Sequence, residues 1–393
     1  MTLTRTQVVV LGAGPAGLTV ANLLRRAGIG CVLLEERSRA YIERRARAGF
    51  IEEWAVRALD AHGLADKLLA RAQRHDSFEF RFAAERHVLR YGELSGQRHF
   101  VYPQQMLVSD LVARFTDHGG DTRFEVADVR LYGVDTERPA VSYLDSVTGQ
   151  QHRVECEIIA ACDGTRGVSQ RHLPASTVRA QHDYGIGWLA LLAEAPPSAD
   201  GVIFGLHERG FAAHMARTPT VTRFYLQCPV GDTEDDWPDE RVWQELHARL
   251  DVPDGPITPG PLIEKRVLEM HNYVLEPMSH GRMFLAGESA HLVAPIAAKG
   301  MNLAIHDALR LAEAIAAHYA GDESGLDGYS AACLPRVWQY QEFSQWLSEI
   351  FHGMTGSDVF TARLVQARVR RLLGSEAAAR AFAEIYLGQR ADF

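Results

Sequence analysis

The sequence predicts a mixed α/β protein with two domains and a helical C-terminal region. Three observations predict this class. The chain opens with a strand–loop–helix–strand pattern, its middle alternates polar and apolar residues between frequent Pro and Gly turns, and its last part is helical and rich in Arg and Ala. At 393 residues the chain is too long for one simple core, so two or three structural units are expected.

Composition and net charge limit the kinds of partner that the protein is expected to bind. The chain is 47% hydrophobic and 23% charged, which is typical of an ordinary soluble globular protein. Its net charge of -9, with scattered Arg and Glu, argues against nucleic acid or an anionic membrane as the main partner. No apolar run reaches the roughly 18 residues that a membrane span needs. We therefore expect a protein with no nucleic-acid or membrane partner.

Cysteines and histidines give no sign of a metal. The five cysteines are scattered and form no CxxC pair, so they are expected to be reduced packing residues. None of the 17 histidines lies in an HExxH or similar arrangement, and no metal is expected. A glycine loop that begins at Gly12 leaves no room for a signal peptide, so we expect a cytoplasmic location.

The first strand, helix and second strand form a βαβ unit. Val8 to Leu11 is a short apolar run, Pro15 to Ala27 has apolar residues at helical spacing, and Cys31 to Glu35 is the second strand. A unit of this kind opens a Rossmann-like domain.

The loop between the first strand and the helix has the spacing of a dinucleotide-binding turn. Gly12 permits the tight turn, Gly14 allows a pyrophosphate to approach the backbone, and Gly17 allows close packing of helix and strand. The helix N-terminus offers free N–H groups to phosphates, and Glu35 can accept a hydrogen bond from a ribose hydroxyl. The loop alone does not separate FAD from NAD, and a glycine turn without a ligand is the alternative.

Patterns of apolar residues also predict the helices and strands that follow the βαβ unit. A helix is predicted from about Glu52 to Leu69, and an antiparallel sheet from Leu173 to about Val267. A strand from Met283 to Gly287 leads to a helix from about Lys299 to His318, and the chain is mostly helical from Leu326 onward.

Two further segments identify a family. Ala161-Cys162-Asp163-Gly164 and Gly287-Glu288-Ser289-Ala290-His291 resemble the DG and GD motifs of group A flavoprotein monooxygenases, and of the 4-hydroxybenzoate hydroxylases among them. The resemblance covers nearly the whole chain and its length. Six other segments share it: Arg47-Ala48-Gly49, Gly187-Trp188-Leu189, Arg209-Gly210-Phe211, Glu276-Pro277-Met278, His280-Gly281-Arg282 and Lys299-Gly300-Met301-Asn302-Leu303.

The resemblance implies an FAD-dependent aromatic hydroxylase that forms a homodimer. The FAD-binding domain is expected to be discontinuous, over 1–72, 98–179 and 270–325. The substrate-binding sheet domain is expected over 73–97 and 180–269, and the helical region over 326–393. NADH or NADPH would reduce the flavin, and O2 would give the flavin C4a-hydroperoxide that the aromatic ring attacks.

The resemblance also assigns the flavin contacts. Glu35 would bind the adenosine ribose, and the N–H groups near Met301 and Asn302 would face the pyrimidine side of the flavin ring. Contacts along the ribityl and pyrophosphate are expected from Gln104, Asp163, Gly164 and Glu288. Arg223 would lie near the flavin, while Arg45 and Arg47 would serve flavin movement, the nicotinamide or the substrate entrance.

Two of these positions carry a reservation. Asp163 taken alone is better explained as a turn or cap residue, and only the flanking match favours a flavin contact. Glu288 stands where the family has aspartate, so its extra methylene must be absorbed by a shift of backbone or flavin.

The family holds a benzoate carboxylate with an arginine that a serine and a tyrosine flank. In this chain these positions are Arg217, Met215 and Tyr225. The planar guanidinium of Arg217 suits a carboxylate, so a small aromatic acid is the expected substrate class. A solvated arginine on a sheet face is the alternative, and Met215 removes one hydroxyl donor.

The family removes the proton of a substrate 4-hydroxyl through two tyrosines and a histidine. His75 and Tyr386 match two of these. Pro295 is also expected to belong to the catalytic residues. The tyrosine that touches the phenol is Phe204 here, so phenolate formation loses its first proton acceptor. An amine donates electron density without losing a proton. We therefore hypothesise a 4-aminobenzoate or amino-hydroxybenzoate substrate, with 4-hydroxybenzoate as the rival.

The nicotinamide positions differ from the family as well. Glu36, Arg166 and His271 stand where the family has Arg, His and Arg. An acid at position 36 repels a 2′-phosphate, which makes NADH at least as good a reductant as NADPH.

Other outcomes remain open on this scaffold. Decarboxylative hydroxylation and N-oxidation of an aryl amine keep the fold. A non-catalytic flavin-binding protein would explain Phe204, Met215 and Glu288 as signs of a decayed pocket. A plain NAD-dependent dehydrogenase is disfavoured, because no His/Lys constellation follows Gly17.

Overall fold

The computed structural model describes residues 2–45, 49–356 and 359–388. Its strands, in chain order, are β1 Thr2–Arg5, β2 Val8–Leu11, β3 Cys31–Leu34, β4 Phe50–Glu52, β5 Gln73–His75, β6 Phe78–Phe82, β7 Glu85–Leu89, β8 His99–Val101, β9 Asp121–Arg123, β10 Val126–Tyr132, β11 Ala140–Asp145, β12 Gln151–Glu155, β13 Ile158–Ala161, β14 Val178–Ala193, β15 Val202–Gly205, β16 Ala212–Thr218, β17 Val221–Cys228, β18 Leu262–Glu276, β19 Ser279–His280, β20 Met283–Leu285 and β21 His291–Leu292.

The helices follow the same numbering. They are α1 Pro15–Arg26, α2 Arg39–Arg44, α3 Glu53–Ala61, α4 Asp66–Arg71, α5 Tyr91–Ser95, α6 Gln104–Asp117, α7 Asp239–Leu250, α8 Gly300–Tyr319, α9 Ser324–Asp327, α10 Tyr329–His352, α11 Val359–Gly374 and α12 Glu376–Tyr386. Short 3-10 turns cover Ser169–His172, Glu234–Asp236, Gly287–Ser289 and Pro295–Ala297.

A six-stranded sheet carries the glycine loop. Its strand order is β19-β20-β13-β2-β3-β9, and β2 lies in parallel register between β13 and β3. Every residue of β2 and β13 is buried, as expected for parallel strands that are covered on both faces. Helices α1 and α8 pack against each other beside this sheet. The carboxyl ends of β2 and β13 therefore meet at one edge, next to the N-terminus of α1.

An eight-stranded sheet forms the second layer of the molecule. Its order is β21-β18-β14-β17-β16-β15-β6-β7, with antiparallel pairing except between β15 and β6. Helix α7 packs on one face. A separate apolar core lies on the other face, where aromatic residues of the sheet meet α10 and α12.

Two smaller sheets complete the fold. One is four-stranded, in the order β1-β12-β11-β10, and the other is three-stranded, in the order β4-β8-β5. The small sheet matters for the site because it places His75 directly opposite His99 across β5 and β8.

The predicted class is confirmed: the chain is mixed α/β, with several sheets and a helical C-terminal region. One element was wrong in detail. The helix predicted from Glu52 to Leu69 is two helices, α3 and α4, because Gly63 adopts a positive φ of 66° that ends the first one.

The division into domains stays a prediction. Two of its boundaries, 179/180 and 269/270, fall inside the long strands β14 and β18, which are hydrogen-bonded to each other along most of their length. No helix in the described ranges is both long and apolar enough to cross a membrane.

Candidate active site

A cavity of about 340 Å³ lies between the eight-stranded sheet and the N-terminus of α8. Its sheet wall is largely aromatic and its opposite wall is the segment that runs into α8. The sheet wall includes Trp188, Phe204, Phe211, Met215, Arg223 and Tyr225, and the opposite wall includes Glu288, Pro295, Ile296, Gly300 and Met301.

The glycine loop has the geometry that the spacing predicts. Gly12 has a φ of 89°, and a Cβ at this position would overlap the carbonyl oxygen of Cys162. A Cβ at Gly17 would overlap the carbonyl oxygen of Gly12. At Gly14, by contrast, a Cβ would meet nothing within 4 Å. The space above Gly14, at the N-terminus of α1, therefore has room for a phosphate group.

Glu35 holds this loop from the end of β3. Its Oε2 accepts a hydrogen bond from Ala13 N at 2.7 Å, and its Oε1 accepts one from Arg37 N at 2.8 Å. Burial raises the pKa of the Glu35 carboxyl, although these two hydrogen bonds oppose the rise. The carboxylate is thus fixed beside the loop, while its contact with a ribose stays a prediction.

Asp163 is engaged within its own turn. Its two oxygens accept hydrogen bonds from Ser169 N at 2.9 Å and from Ser169 Oγ at 2.5 Å. Burial raises the pKa of this carboxyl, and the hydrogen bonds from Ser169 oppose that rise. Gly164 follows with a φ of 75° and open space around it. The turn role weighed for Asp163 is what the structure shows, and a ribityl contact stays a prediction.

The N-terminus of α8 points its amides into the cavity region. The first hydrogen bond of the helix is donated by Leu303 N to Lys299 O at 3.0 Å, so the amides of Met301 and Asn302 precede it. The Asn302 side chain is used elsewhere. Its Oδ1 accepts from Glu52 N at 2.9 Å, and its Nδ2 donates to Phe50 O at 3.2 Å. A ligand at this helix end would meet backbone amides and the positive end of the dipole.

A buried acid behind Glu288 was missed by sequence reasoning. Asp307 Oδ2 accepts a hydrogen bond from Gly287 N at 2.9 Å and pairs with His291 Nε2 at 2.6 Å. Burial alone would raise the pKa of Asp307, but the charge and hydrogen bond of His291 hold it well below its usual range. No role had been assigned to His291. An acid on a helix face that is otherwise apolar, between Ile305 and Ala308, was the available signal.

Asp307 also belongs to a buried group with His306 and Cys333, whose potential metal-ligand atoms lie within 4.8 Å of one another. One carboxylate oxygen of Asp307 is already shared between Gly287 and His291, and burial raises the pKa of the Cys333 thiol. The absence of a metal stays a prediction.

A second buried pair fixes the other side of the cavity. Lys299 Nζ forms an ion pair with Glu52 and donates to the carbonyl oxygens of Ile385 at 3.0 Å and Tyr386 at 2.8 Å. Burial lowers the pKa of Lys299, and the Glu52 charge opposes this. These contacts connect β4 and α8 to the end of α12, and so fix the backbone of Tyr386 at the cavity.

Strand register arranges the sheet wall. Tyr225 on β17 lies opposite Ala213 on β16, and Ala213 lies opposite Phe204 on β15. Arg223 lies opposite Met215 in the neighbouring row. Because residues in one row of a sheet face the same side, these side chains form one surface of the cavity.

The arginines make one end of this wall positive. Arg217 lies at an irregularity of β16 between Ala216 and Thr218 and is not among the residues that line the cavity, but it interacts electrostatically with Arg223 and Tyr225, which do line it. Burial lowers the pKa of Arg217, the positive charge of Arg223 lowers it further, and Tyr225 and Glu264 oppose these effects. Arg223 is 6% exposed, and its Nε has no hydrogen-bond partner in the part of the chain that the structure describes. A buried guanidinium group with a second, half-buried one near it favours an anionic ligand.

Four phenylalanine rings surround Phe204 on the side away from the cavity opening. Its ring packs against Phe78, Phe351, Phe80 and Phe211, with ring centroids at 5.2, 4.8, 5.9 and 6.2 Å. Tyr386 lines the same cavity and contacts Phe78 at 5.3 Å. Phe78 therefore contacts the rings at both positions, 204 and 386.

His75 and Tyr386 are linked by residues that sequence reasoning missed. His75 is buried and lies opposite His99, whose ring is 4.8 Å from the Tyr386 ring. Burial lowers the pKa of both histidines and raises the pKa of Tyr386. Tyr91 completes this cluster, with Oη 3.3 Å from His99 Nδ1. A histidine in the short strand before Gln104 was the available signal.

Only some of the remaining predicted site residues line the cavity. Arg45 and Gln104 line the cavity, and Arg47 lies outside the described residues. His271 also lines the cavity. Glu36 forms an exposed ion pair with Arg37 at 3.3 Å, and Arg166 is exposed in the turn after β13. The nicotinamide role of Glu36, Arg166 and His271 stays a prediction.

The glycine loop and the N-terminus of α8 are joined by the turn at Gly287, where a Cβ would lie 3.3 Å from Ala16 Cβ and 3.2 Å from Ala304 Cβ. We call the surface from Gly14 past Gly287 to Met301 the groove, and its two ends suit an extended dinucleotide. It offers an open glycine backbone and helix N-terminus at one end, and a second helix N-terminus facing a largely aromatic cavity at the other.

Comparison with known proteins agrees with this geometry. A family model described as an FAD binding domain matches residues 5–344. The chain is 36% identical over 389 residues to p-hydroxybenzoate hydroxylase of Acinetobacter baylyi, an alignment that covers 98% of this chain and 95% of that protein. It is 28% identical over 376 residues to 3-amino-4-hydroxybenzoate 2-monooxygenase of Streptomyces platensis, covering 88% and 89%. The fold matches p-nitrophenol 4-monooxygenase of Pseudomonas putida with a TM-score of 0.85, at 19% identity and over 100% of both chains.

Proposed function

The chain belongs to the FAD-dependent aromatic hydroxylases, and from this membership we propose that it hydroxylates a benzoate with an amino group para to the carboxylate. The expected substrates are 4-aminobenzoate or an amino-hydroxybenzoate, hydroxylated ortho to the electron-donating group. The relative named for 3-amino-4-hydroxybenzoate supports an amino-substituted ring on this scaffold, although that compound carries its amino group meta and a hydroxyl para to the carboxylate.

The nucleotide end of the groove would hold FAD. The pyrophosphate would lie over Gly14 at the N-terminus of α1, with Glu35 beside the adenosine ribose. The flavin ring would lie in the cavity with its pyrimidine edge at the amides of Met301 and Asn302. Bound FAD supplies the redox and oxygen-transfer chemistry, and the residues of the chain bind, orient and exclude water.

The carboxylate of the substrate would bind at the positive end of the sheet wall. Arg217 and Arg223 are both largely buried there, and the unpartnered Nε of Arg223 is a donor that needs an acceptor. Tyr225, one row away, can donate a third hydrogen bond. Met215 contributes only apolar contact, so the clamp relies on the guanidinium groups.

The environment of Phe204 is the observation that carries the proposal. A phenol at this end of the substrate would meet aromatic carbon where the family has a proton acceptor. Its proton would have to leave without help, which removes a contribution of roughly 10²–10⁴ in rate. An aromatic amine releases electron density into the ring while it keeps its protons. The apolar wall therefore favours an amine over a phenol.

We further propose NADH as a reductant at least as good as NADPH. Glu36 is exposed at the end of β3 and would repel the 2′-phosphate of NADPH. A homodimer is the expected assembly, by similarity to the family.

Four alternatives remain. The identity with p-hydroxybenzoate hydroxylase favours 4-hydroxybenzoate as the substrate. N-oxidation and decarboxylative hydroxylation would use the same pocket and give different products. A non-catalytic flavin-binding protein would fit the loss of polar groups at positions 204 and 215.

A screen of substituted benzoates tests the proposal. The purified FAD-loaded protein is mixed with NADH or NADPH and each benzoate, and nucleotide oxidation, hydrogen peroxide and products are measured. We expect 4-amino-substituted benzoates to accelerate NADH oxidation with little peroxide and to yield ring-hydroxylated products. If 4-hydroxybenzoate alone gave hydroxylated product with little hydrogen peroxide, the proposal of a 4-amino substrate would be refuted. Failure of every benzoate to bind or accelerate oxidation would favour the non-catalytic alternative.

A further inference from the structure

The last turn of α10 meets the aromatic wall of the cavity through one hydrogen bond. Trp188 lines the cavity and is 3% exposed. Its Nε1 donates to His352 Nε2 at 2.9 Å. His352 is the last residue of α10 and is not among the described residues that line the cavity. The function proposed so far gives this histidine no role.

The hydrogen bond determines where the ring proton of His352 lies. An indole N–H can only donate, so His352 Nε2 must be the acceptor and the proton must be on Nδ1. That Nδ1 lies 2.9 Å from Ser348 Oγ, one turn earlier in α10. Burial lowers the pKa of His352 to about 3, and a hydrogen bond to the Ser348 backbone opposes this. The histidine is therefore neutral near pH 7 and keeps its acceptor directed at the indole.

The Trp188 indole contacts two other residues of the cavity wall. It stacks on Phe211, with ring centroids 5.0 Å apart and 23° between the ring planes. It also packs at a tilt against Tyr225, with ring centroids 5.2 Å apart. Phe211 and Tyr225 both line the cavity. A rotation of the indole would therefore change the surface on which a substrate ring lies.

A second contact fixes the end of α10 against the same part of the sheet. Gln227 lies opposite Trp188 across β17 and β14. Its Oε1 accepts hydrogen bonds from Phe211 N at 2.9 Å and from Thr355 Oγ1 at 3.0 Å. Thr355 follows shortly after His352 in the chain. The two contacts together hold the imidazole opposite the indole.

We propose that His352 is a positioning residue of the active site, which orients the Trp188 indole and thereby sets how the aromatic ring of the substrate lies beside Tyr225. Its effect on a benzoate rests on the function proposed above, whereas its effect on the indole does not. A buried indole N–H without an acceptor is costly, so a protein that lacks this acceptor would turn the indole. The substrate ring would then lose its fixed orientation, and more NADH would be oxidised to give hydrogen peroxide instead of product.

Two substitutions at position 352 test the acceptor. His352→Leu removes it, whereas His352→Gln keeps an oxygen that can accept from the indole. In the FAD-loaded protein, His352→Leu should raise the dissociation constant for 4-aminobenzoate roughly tenfold and lower the hydroxylated product formed per NADH. His352→Gln should restore most of both. Flavin absorbance changes on titration give the constants, and product and hydrogen peroxide are quantified against NADH consumed.

His214→Leu is the matched control. His214 is also buried, burial lowers its pKa to about 4, and its Nε2 accepts from Ser198 N at 2.9 Å. It lies opposite Ile203 and Phe224, which belong to the apolar core on the α7 side of the sheet. This variant should lose stability as His352→Leu does, measured by thermal unfolding. It should keep the natural dissociation constant and product yield.

The indole signal of Trp188 tests the contact with the natural residue at position 352. The FAD-loaded protein is labelled with 15N in its six tryptophan indoles, and Trp188→Phe identifies the Trp188 signal in the NMR spectrum. We expect the Trp188 N–H signal to lie downfield of the other indole signals and to exchange slowly in D2O, because its proton is buried and hydrogen-bonded. This measurement decides the question even where a variant at position 352 fails to fold.

Four results overturn the proposal. They are natural binding and product yield in His352→Leu, a His352→Gln protein as impaired as His352→Leu, an equal impairment in His214→Leu, and a Trp188 indole that exchanges freely. Failure of the proposed function looks different. If the natural protein binds no benzoate while the Trp188 signal is shifted and protected, the proposed function falls and the contact of His352 with the indole stands. If only 4-hydroxybenzoate is hydroxylated, the same variants are compared with that substrate.

Discussion

The two ends of the groove differ in what defines them. At the glycine-loop end, backbone geometry does: Gly12 and Gly17 admit no Cβ, and the N-terminus of α1 provides amides. At the sheet end, side chains define the surface, through Arg223 and the aromatic group around Phe204, with Arg217 near Arg223.

This difference fits the glycines of the loop, which keep the family pattern, and positions 204 and 215 of the sheet, which depart from it. A site made of backbone tolerates few substitutions, because a single added Cβ collides with the chain itself. A wall made of side chains changes its chemistry with one hydroxyl group and keeps its shape. We therefore expect substitutions at the glycine end to abolish cofactor binding, and substitutions at the sheet end to change which substrate is used.

The largest effect is expected from Gly17→Ala. Its Cβ would overlap the carbonyl oxygen of Gly12, so helix and loop must separate at a cost of about 1–3 kcal/mol or more. We expect a lower melting temperature and a protein purified without flavin, measured by thermal unfolding and by the flavin absorbance per protein.

Gly14→Ala is the matched comparison. A Cβ there meets nothing within 4 Å, so the melting temperature of the flavin-free protein should not change. The dissociation constant for FAD should rise at least roughly tenfold, because the new Cβ occupies the space that a phosphate needs. Equal FAD affinity in the Gly14→Ala variant and the natural protein would contradict the assignment of this loop.

The next effect concerns the carboxylate clamp. Arg217→Met should weaken benzoate binding roughly 10- to 100-fold, the equivalent of about 1.5–3 kcal/mol for hydrogen bonds to a charged group. Arg266→Met is the control, because Arg266 lines the cavity itself but lies on β18, three strands away from β16, opposite Ala190. Flavin absorbance changes on titration with benzoates give both constants, and a larger loss in the control would move the clamp to β18.

A smaller effect is expected from Phe204→Tyr. The new hydroxyl provides the missing proton acceptor, so product formed from 4-hydroxybenzoate per NADH oxidised should rise, and turnover of the phenol relative to the amine should rise roughly tenfold. The hydroxyl also enters a carbon-lined space, so some stability should be lost.

Phe351→Tyr controls for the added hydroxyl. Its ring lies 4.8 Å from Phe204, and Phe351 is not among the residues that line the cavity. This variant should keep the natural preference. An unchanged preference in Phe204→Tyr as well would show that position 204 does not select the substrate.

The smallest effect is expected at Glu36. Glu36→Gln should raise kcat/KM for NADPH relative to NADH by roughly two- to fivefold, since an exposed charge contributes little. Glu43→Gln removes another acid, one that pairs with Arg39 at 2.8 Å, and should leave the ratio unchanged. A strong NADPH preference in the natural protein would contradict this reading of position 36.

The same difference between backbone and side chains separates the features that could be predicted from the sequence from those that could not. The βαβ unit, the glycine loop and the helix at Gly300 depend on local patterns of apolar residues and glycine, and they were predicted close to their observed bounds. The family motifs then predicted the chemistry. These features are encoded within short stretches of chain.

The buried pairs of side chains could not be predicted from local sequence patterns. Lys299 and Glu52 are 247 residues apart, and each resembles an ordinary surface residue in its own segment. Tyr91 and His99 are close in sequence, but only the sheet of β4, β8 and β5 brings them to His75 and Tyr386. Tertiary structure decides such partners, so a single sequence does not specify them.

Product yield per NADH is the most direct test of the central claim that the sheet end selects an amine. Equal concentrations of 4-aminobenzoate and 4-hydroxybenzoate are turned over separately by the FAD-loaded natural protein, and hydroxylated product and hydrogen peroxide are quantified against NADH consumed. The account predicts that most NADH oxidation yields hydroxylated product with the amine and mostly hydrogen peroxide with the phenol. Near-complete hydroxylation of the phenol, with little or none of the amine, would contradict it.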